Sequence, residues 1–385
     1  MKRITMLFIC ILIAATIYTQ YAFFWFNEHV TDKYPLGKFP DSYYHYTHIT
    51  QHDSDVAKYI GTHIIFYPLL ATLPPLMAFG FSIPILYVFI LPFSVFLMAR
   101  EYSESTHIGA LAALLLMFGT DVVTTILQIA VWPQGLNMLL TALAITTGIR
   151  YMRTKQKRFI VITIMLLLWS ALAHLKFSIA SLAIAMLFLA AHKRYLELFL
   201  ATLATSFTMF MLHEYYQFTL VSDYFFINPK MLLFTVFPLN FLFGLYGLHI
   251  MRKKDQWIHY TLFIPLLASA FLLFIEPNFR LYLHMLMFMS PFMAIGMVKA
   301  LQKVKHSSIQ RLLATGYVLL MLAYFSMFCM YLTYVDVIYN AHQHANVTLK
   351  EELEQYFPKI TFENGTELQR LRSENKPSDG VSTGL

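Results

Sequence analysis

The chain has 385 residues, of which 58% are hydrophobic, 16% aromatic and 13% charged, with a mean hydropathy of +0.57. An average soluble domain carries roughly 25% charged residues, so this composition excludes a soluble globular enzyme, a disordered chain and a nucleic-acid-binding domain. The two cysteines, Cys10 and Cys329, both lie inside apolar runs, which excludes a disulfide framework and a Cys-based zinc site.

A membrane helix needs about 20 mostly apolar residues. Such runs occur near 5–26, 82–100, 107–127, 134–150, 159–174, 177–191, 196–213, 232–251, 257–275, 281–298 and 312–332. The expected fold class is therefore an all-α polytopic membrane protein with about eleven transmembrane helices. Lys2 and Arg3 ahead of the first run also suit a cleaved signal peptide. That run is longer than a usual signal core, so it is read as an uncleaved first span. With the N-terminus cytoplasmic, 17 of the 28 Lys and Arg fall inside, 6 fall in outer loops and 5 in the C-terminal tail. This asymmetry sets the expected orientation, with the C-terminus extracytoplasmic. The net charge of +7 is then a topology signal and asks for no acidic partner.

Between the first two spans lies the one long outer loop, roughly 27–61, with a further apolar stretch at 62–79. Pro68, Pro74 and Pro75 remove helix hydrogen bonds from that stretch. It reads as a re-entrant or interfacial segment walling an outer cavity, since broken backbone survives at membrane depth only when covered. The loop holds five acidic residues and four histidines. If a helix starts at Pro40-Asp41-Ser42, then Asp41, His45, His48, His52 and Asp55 share one face. Such a stripe has three readings: a solvated face, a catalytic carboxylate that takes a proton from an acceptor hydroxyl, or a divalent-metal site for magnesium or manganese. The sequence does not separate the last two.

Further ionisable residues fall at the same expected outer boundary. Asp121 ends the third span, His174 and Lys176 occupy the hairpin after the fifth, and Glu276 and Arg280 occupy the turn EPNFR. Each cation alone suits snorkelling to the interface. Together they suit a phosphate group, which Arg binds with a planar fork and Lys as a point charge. The chain has no GxxxxGK[ST] loop, no GxGxxG opening a helix after a strand, and no HExxH. The tail, 333–385, reads as a short external segment, and it contains two Asn-x-Thr triplets, at Asn346 and Asn364.

The ordered features over roughly 1–332 resemble the GT-C superfamily of membrane glycosyltransferases. These features are a basic first span, then the loop motif Pro40-Asp41-Ser42-Tyr43-Tyr44-His45, then the proline-bearing stretch His63–Pro75. Leu97-Met98-Ala99-Arg100-Glu101 ends the next span, Gly109–Phe118 is rich in small residues, Leu172-Ala173-His174 lies near an outer hairpin, and Asn278-Phe279-Arg280-Leu281-Tyr282 opens a late span. The chain lacks WWDYG, so the resemblance does not extend to oligosaccharyltransferase catalytic subunits. It implies a transmembrane GT-C-like domain over 1–332 that moves a sugar from a polyprenyl-phosphate donor to a glycan, lipid or protein acceptor, with inversion. It also implies Asp41 as general base or metal-linked carboxylate. Arg280 is implied on the donor phosphate, with Lys176, His174, His45 and Asp121 as further substrate contacts. Asp41, His45 and Asp121 are the implied ligands of any divalent cation. The expected partners are the lipid-linked donor, the acceptor and membrane lipids, with no nucleic acid. The alternative is a multi-span transporter or flippase of a lipid-linked or small polar substrate. Against it, the sequence shows no internal repeat of the kind transporters often carry.

Overall fold

The computed structural model describes residues 2–26, 81–120, 122–128, 132–173, 238–252, 256–275 and 279–330. Among them are ten α-helices, one π-helical stretch and no β-strand. Helix α1 is Lys2–Phe26. The π-helical stretch Ile85–Ile90 runs directly into α2, Leu91–Ser103. Then come α3 (Thr106–Phe118), α4 (Val122–Gln128), α5 (Trp132–Thr154) and α6 (Lys157–Ala173). After the next described break follow α7 (Pro238–Met251), α8 (Gln256–Ile275), α9 (Phe279–Gln302) and α10 (Ser307–Met330).

Three of the described helical segments are long and apolar enough to cross a membrane: Arg3–Tyr21, Ile85–Ser103 and Leu281–Gln302. Shorter apolar helices lie beside them at Thr106–Phe118, Leu239–Met251, Ile258–Ala270 and Ser307–Ala323. Large apolar side chains such as Met6, Leu7, Met165, Leu312 and Leu319 stand on the outside of the bundle. Many apolar side chains on an exterior are costly in water and natural in lipid, so the described helices fit a membrane protein.

One expected run differs. Residues 107–127, read as a single span, contain two helices, α3 ending at Phe118 and α4 starting at Val122. Gly119 caps α3, its N–H bonding to the Leu115 carbonyl at 2.9 Å. The Gly119 carbonyl is taken by the Asn240 side-chain amide of α7 at 2.7 Å, so α3 ends on a tertiary partner and not on a further turn. The expected runs 177–191 and 196–213, the loop 27–61, the stretch 62–79 and the tail 333–385 lie outside the described residues.

Helix α9 is the axis of the bundle. It packs on α7, α8 and α3, and it also touches α2, α4, α5 and α10. Its closest neighbour is α7. A Cβ added at Gly296 would overlap the Phe243 carbonyl, and one added at Gly247 would overlap the Phe292 carbonyl. Pro291 interrupts the backbone bonds of α9. The carbonyl it strands is that of Met287, and the Ser290 hydroxyl donates to that oxygen at 2.9 Å. The helix therefore crosses its proline without losing a buried acceptor.

The two ends of the bundle differ in character. One end gathers the close of α2, the α5–α6 turn, the start of α8 and the α9–α10 turn. Arg153 pairs there with Glu104 at 2.8 Å, and Arg100 pairs with Glu101 at 3.0 Å. Glu104 closes α2 in the left-handed region (φ 58), and Ser105 then opens α3 by accepting from the Ile108 N–H. Exposed Arg150, Lys155, Lys157, Arg158, Arg252, Lys299, Lys303, Lys305 and Arg311 complete this basic end. Just inside it, the Tyr102 hydroxyl and His259 Nδ1 are 3.0 Å apart and join α2 to α8. Interhelical hydrogen bonds in membrane bundles average about 0.6 kcal/mol. Tyr102→Phe should therefore lower stability by about that amount, read as a thermal shift of the purified protein. A loss several times larger would mean the hydroxyl has a further role.

Candidate functional site

The opposite end holds the starts of α5, α7 and α9, the close of α6 and the α3–α4 junction. Its walls are apolar, and a connected set of polar side chains lies inside them. Gln134, Asn137 and Thr141 project from α5, Ser170 from α6 and His284 from α9, and all five are buried. Gln134, Asn137 and Thr141 recur at intervals of three and four, which places them along one helix face.

The bonds run in sequence across three helices. Gln134 Nε2 lies 3.1 Å from His284 Nδ1, and His284 Nε2 lies 2.8 Å from Asn137 Oδ1. The Asn137 amide donates to the Ser170 carbonyl at 2.8 Å and to the Ser170 hydroxyl at 2.9 Å. Thr141 Oγ1 meets the same hydroxyl at 2.9 Å. At the average membrane value, this set of bonds contributes about 3 kcal/mol to holding α5, α6 and α9 together. Midway down the α5–α6 hairpin, Thr147 and Thr163 meet at 2.8 Å and add a second tie.

Two smaller polar contacts flank the network. The Tyr87 hydroxyl donates to the Trp132 carbonyl at 2.7 Å, where α5 begins. Gly135 leaves room for this, since a Cβ there would come within 2.6 Å of the Tyr87 ring. On the other side, fully buried Asn240 donates to Gly119, and its Oδ1 has no hydrogen-bond partner among the described residues.

Of the residues singled out from the sequence, Arg280 falls within the described backbone. It is the second residue of α9 and stands one helical turn before His284. Apart from Lys2 and Arg3 at the start of α1, every other Lys or Arg among the described residues lies at the basic end, and Arg280 is the one such position placed at the polar end. Asp41, His45, Asp121, His174, Lys176 and Glu276 lie outside the described residues. Thr120 and Val122, on either side of Asp121, and Ala173, next to His174, are described and belong to the polar end. Among the described residues, no group of three His, Cys, Asp or Glu is placed to hold a metal ion.

The sequence reading missed Gln134, Asn137, Ser170, His284 and Asn240. A signal was present for four of them. Gln134, Asn137 and His284 interrupt runs otherwise read as membrane spans, as does Asn240, and a polar side chain at such a depth is costly unless it has a partner or a task. Ser170 gave none, because a helical serine commonly bonds its own backbone, whereas here its hydroxyl donates to the Asn137 carbonyl at 3.3 Å.

No protein-family model matches the chain, and no curated protein matches it.

Proposed function

We propose that this chain is an integral membrane glycosyltransferase. On this reading it moves a sugar from a polyprenyl-phosphate-linked donor to an acceptor on the extracytoplasmic face, with the basic end cytoplasmic and the polar end outside. The observation that supports it best is Arg280: a lone cation position among the described residues of the polar end, one turn from a buried polar network. That pairing suits an anionic headgroup entering from a bilayer. The resemblance of the ordered sequence features to GT-C enzymes supports the same reading.

The proposed reaction is a single displacement. Asp41 takes the proton of the acceptor hydroxyl, whose oxygen attacks the anomeric carbon as the bond to the phosphate oxygen breaks. The configuration inverts. The departing phosphate needs charge stabilisation more than a proton, and Arg280 supplies it with Lys176 or His174. His45 and Asp121 complete the substrate contacts, and with Asp41 they are the candidate ligands for magnesium or manganese.

The test is transfer of labelled sugar from a polyprenyl-phosphate donor by the purified chain in nanodiscs. Asp41→Asn should lower kcat by 10²–10⁴-fold, on the order expected for losing a general base. Near-wild-type turnover would remove Asp41 from this role. EDTA treatment before the same assay tests the cation, and unchanged rates would show that none is needed. Ion-coupled uptake into liposomes without sugar transfer would favour the transporter reading instead.

A further inference from the structure

We infer that His284 is a positioning residue: clamped by Asn137 and Gln134, it fixes the rotation and height of the first turns of α9, and so the place of Arg280. This deepens the transferase reading and rests on it for its effect on catalysis. The clamp itself rests on contacts alone.

The hydrogen bonds can be given directions from the network itself. A backbone carbonyl only accepts, so the group of Asn137 that lies 2.8 Å from the Ser170 carbonyl must be its NH₂. The same NH₂ also reaches the Ser170 hydroxyl. Asn137 Oδ1 therefore faces His284, and since Oδ1 only accepts, Nε2 of the imidazole carries the hydrogen. In the neutral ring Nδ1 is then the acceptor, and Gln134 Nε2 donates to it. Both ring nitrogens are thus engaged from two positions on α5, and Asn137 is itself anchored to α6.

The consequence is mechanical. Burial of apolar surface alone favours no one rotation in a bilayer, because lipid tails are as apolar as leucine, and the close contact of Gly296 with α7 lies twelve residues further along α9. Two directed bonds from one ring fix it well. Turning α9 by one residue swings a side chain by about 100° and breaks both bonds. Arg280 is four residues earlier on the same helix, so its Cα moves rigidly with that turn, about 6 Å away along the axis. A leucine at 284 would fill the volume without needing the two partners. The histidine adds orientation, as the outer hydrogen-bond partners of a functional side chain generally do.

The experiment uses the full chain in nanodiscs, with His284→Leu, His284→Gln, Arg280→Ala and the double variant His284→Leu/Arg280→Ala. The expected result is a fall in kcat of about tenfold for His284→Leu, within the range seen when orienting partners are lost. The KM for the acceptor should stay unchanged. His284→Gln, which keeps an N–H donor for Asn137, should recover most of the rate. The double variant should be no slower than Arg280→Ala alone, because a positioning residue has nothing left to position. Losses that multiply would overturn the inference. A second readout needs no activity. A spin label attached through Arg280→Cys, with Cys10 and Cys329 changed to serine, should give a broad, ordered spectrum that sharpens in His284→Leu. An unchanged spectrum overturns the clamp. If the parent protein transfers no sugar but the spectrum sharpens, the clamp stands and the transferase reading falls alone.

Discussion

Gly296→Ala is expected to be strongly destabilising, although it adds a single methyl group. The new Cβ would overlap the Phe243 carbonyl and crowd the backbone nitrogen of Gly247. Both obstacles are backbone atoms of α7, and they cannot swing aside as a side-chain tip could. Helix α9 is also held on its other sides by α8, α3 and α5, so it cannot retreat. Overpacking of this kind costs about 3 kcal/mol at the upper end of its usual range, against a total stability of roughly 5–15 kcal/mol. The control is the same change at Gly316 on α10, where nothing lies within 4 Å of the added Cβ. Gly316→Ala should be neutral or stabilising by about 0.5–1 kcal/mol, since a helical glycine is entropically costly. Size-exclusion profiles and melting temperatures in detergent give the answer. Equal losses at the two sites would sink the close-packing account.

Asn137→Asp should be at least as damaging at neutral pH, despite being isosteric. The substitution puts an oxygen where the NH₂ now donates to the Ser170 carbonyl at 2.8 Å. Two acceptors would then face each other inside the bundle. Left ionised, the new carboxylate is an uncompensated buried charge, worth about 3–5 kcal/mol of destabilisation. Kept protonated, it can donate to Ser170 again. Holding that proton at pH 7, from a free value near 3.9, costs about 4 kcal/mol. The buried neutral form thus has a raised proton affinity relative to the unfolded chain. Its contribution is fully present below the unfolded value and is lost as pH rises. The variant should therefore approach the wild-type melting temperature as pH is lowered toward 4 and fall away from it between pH 5 and 7. A deficit equal at pH 5 and pH 7 would show that the amide orientation is wrong.

Much of the bundle was legible in advance, for a simple reason. A membrane helix is declared by the composition of one continuous run, so 5–26, 82–100, 134–150, 159–174, 257–275, 281–298 and 312–332 each coincide with a described helix within a few residues. The break between α3 and α4 was not legible. Gly119 and Thr120 are too few to interrupt an apolar average, and what stops the helix is Asn240, 121 residues away. The polar network was hidden by the same cause. His284 and Asn137 are separated by 147 residues, and no local pattern says that one will meet the other. Arg280 was readable because a charge beside a membrane span stands out by itself. The stripe around Asp41 and His45 was equally readable as a pattern, and it lies outside the described residues.

The separation of Asn137 from His284 also has a meaning in time. Ribosomes add about 5–20 residues per second, so the imidazole that satisfies Asn137 Oδ1 is made on the order of ten seconds after Asn137 itself. Ser170 follows after only 33 residues and can take the amide hydrogens almost at once. The α5–α6 hairpin can thus close early through the Asn137–Ser170 bonds, before α9 is made. Gln134 and Asn137 then present on α5 the groups that meet His284, and the late-arriving helix at the centre of the bundle has an address waiting for it.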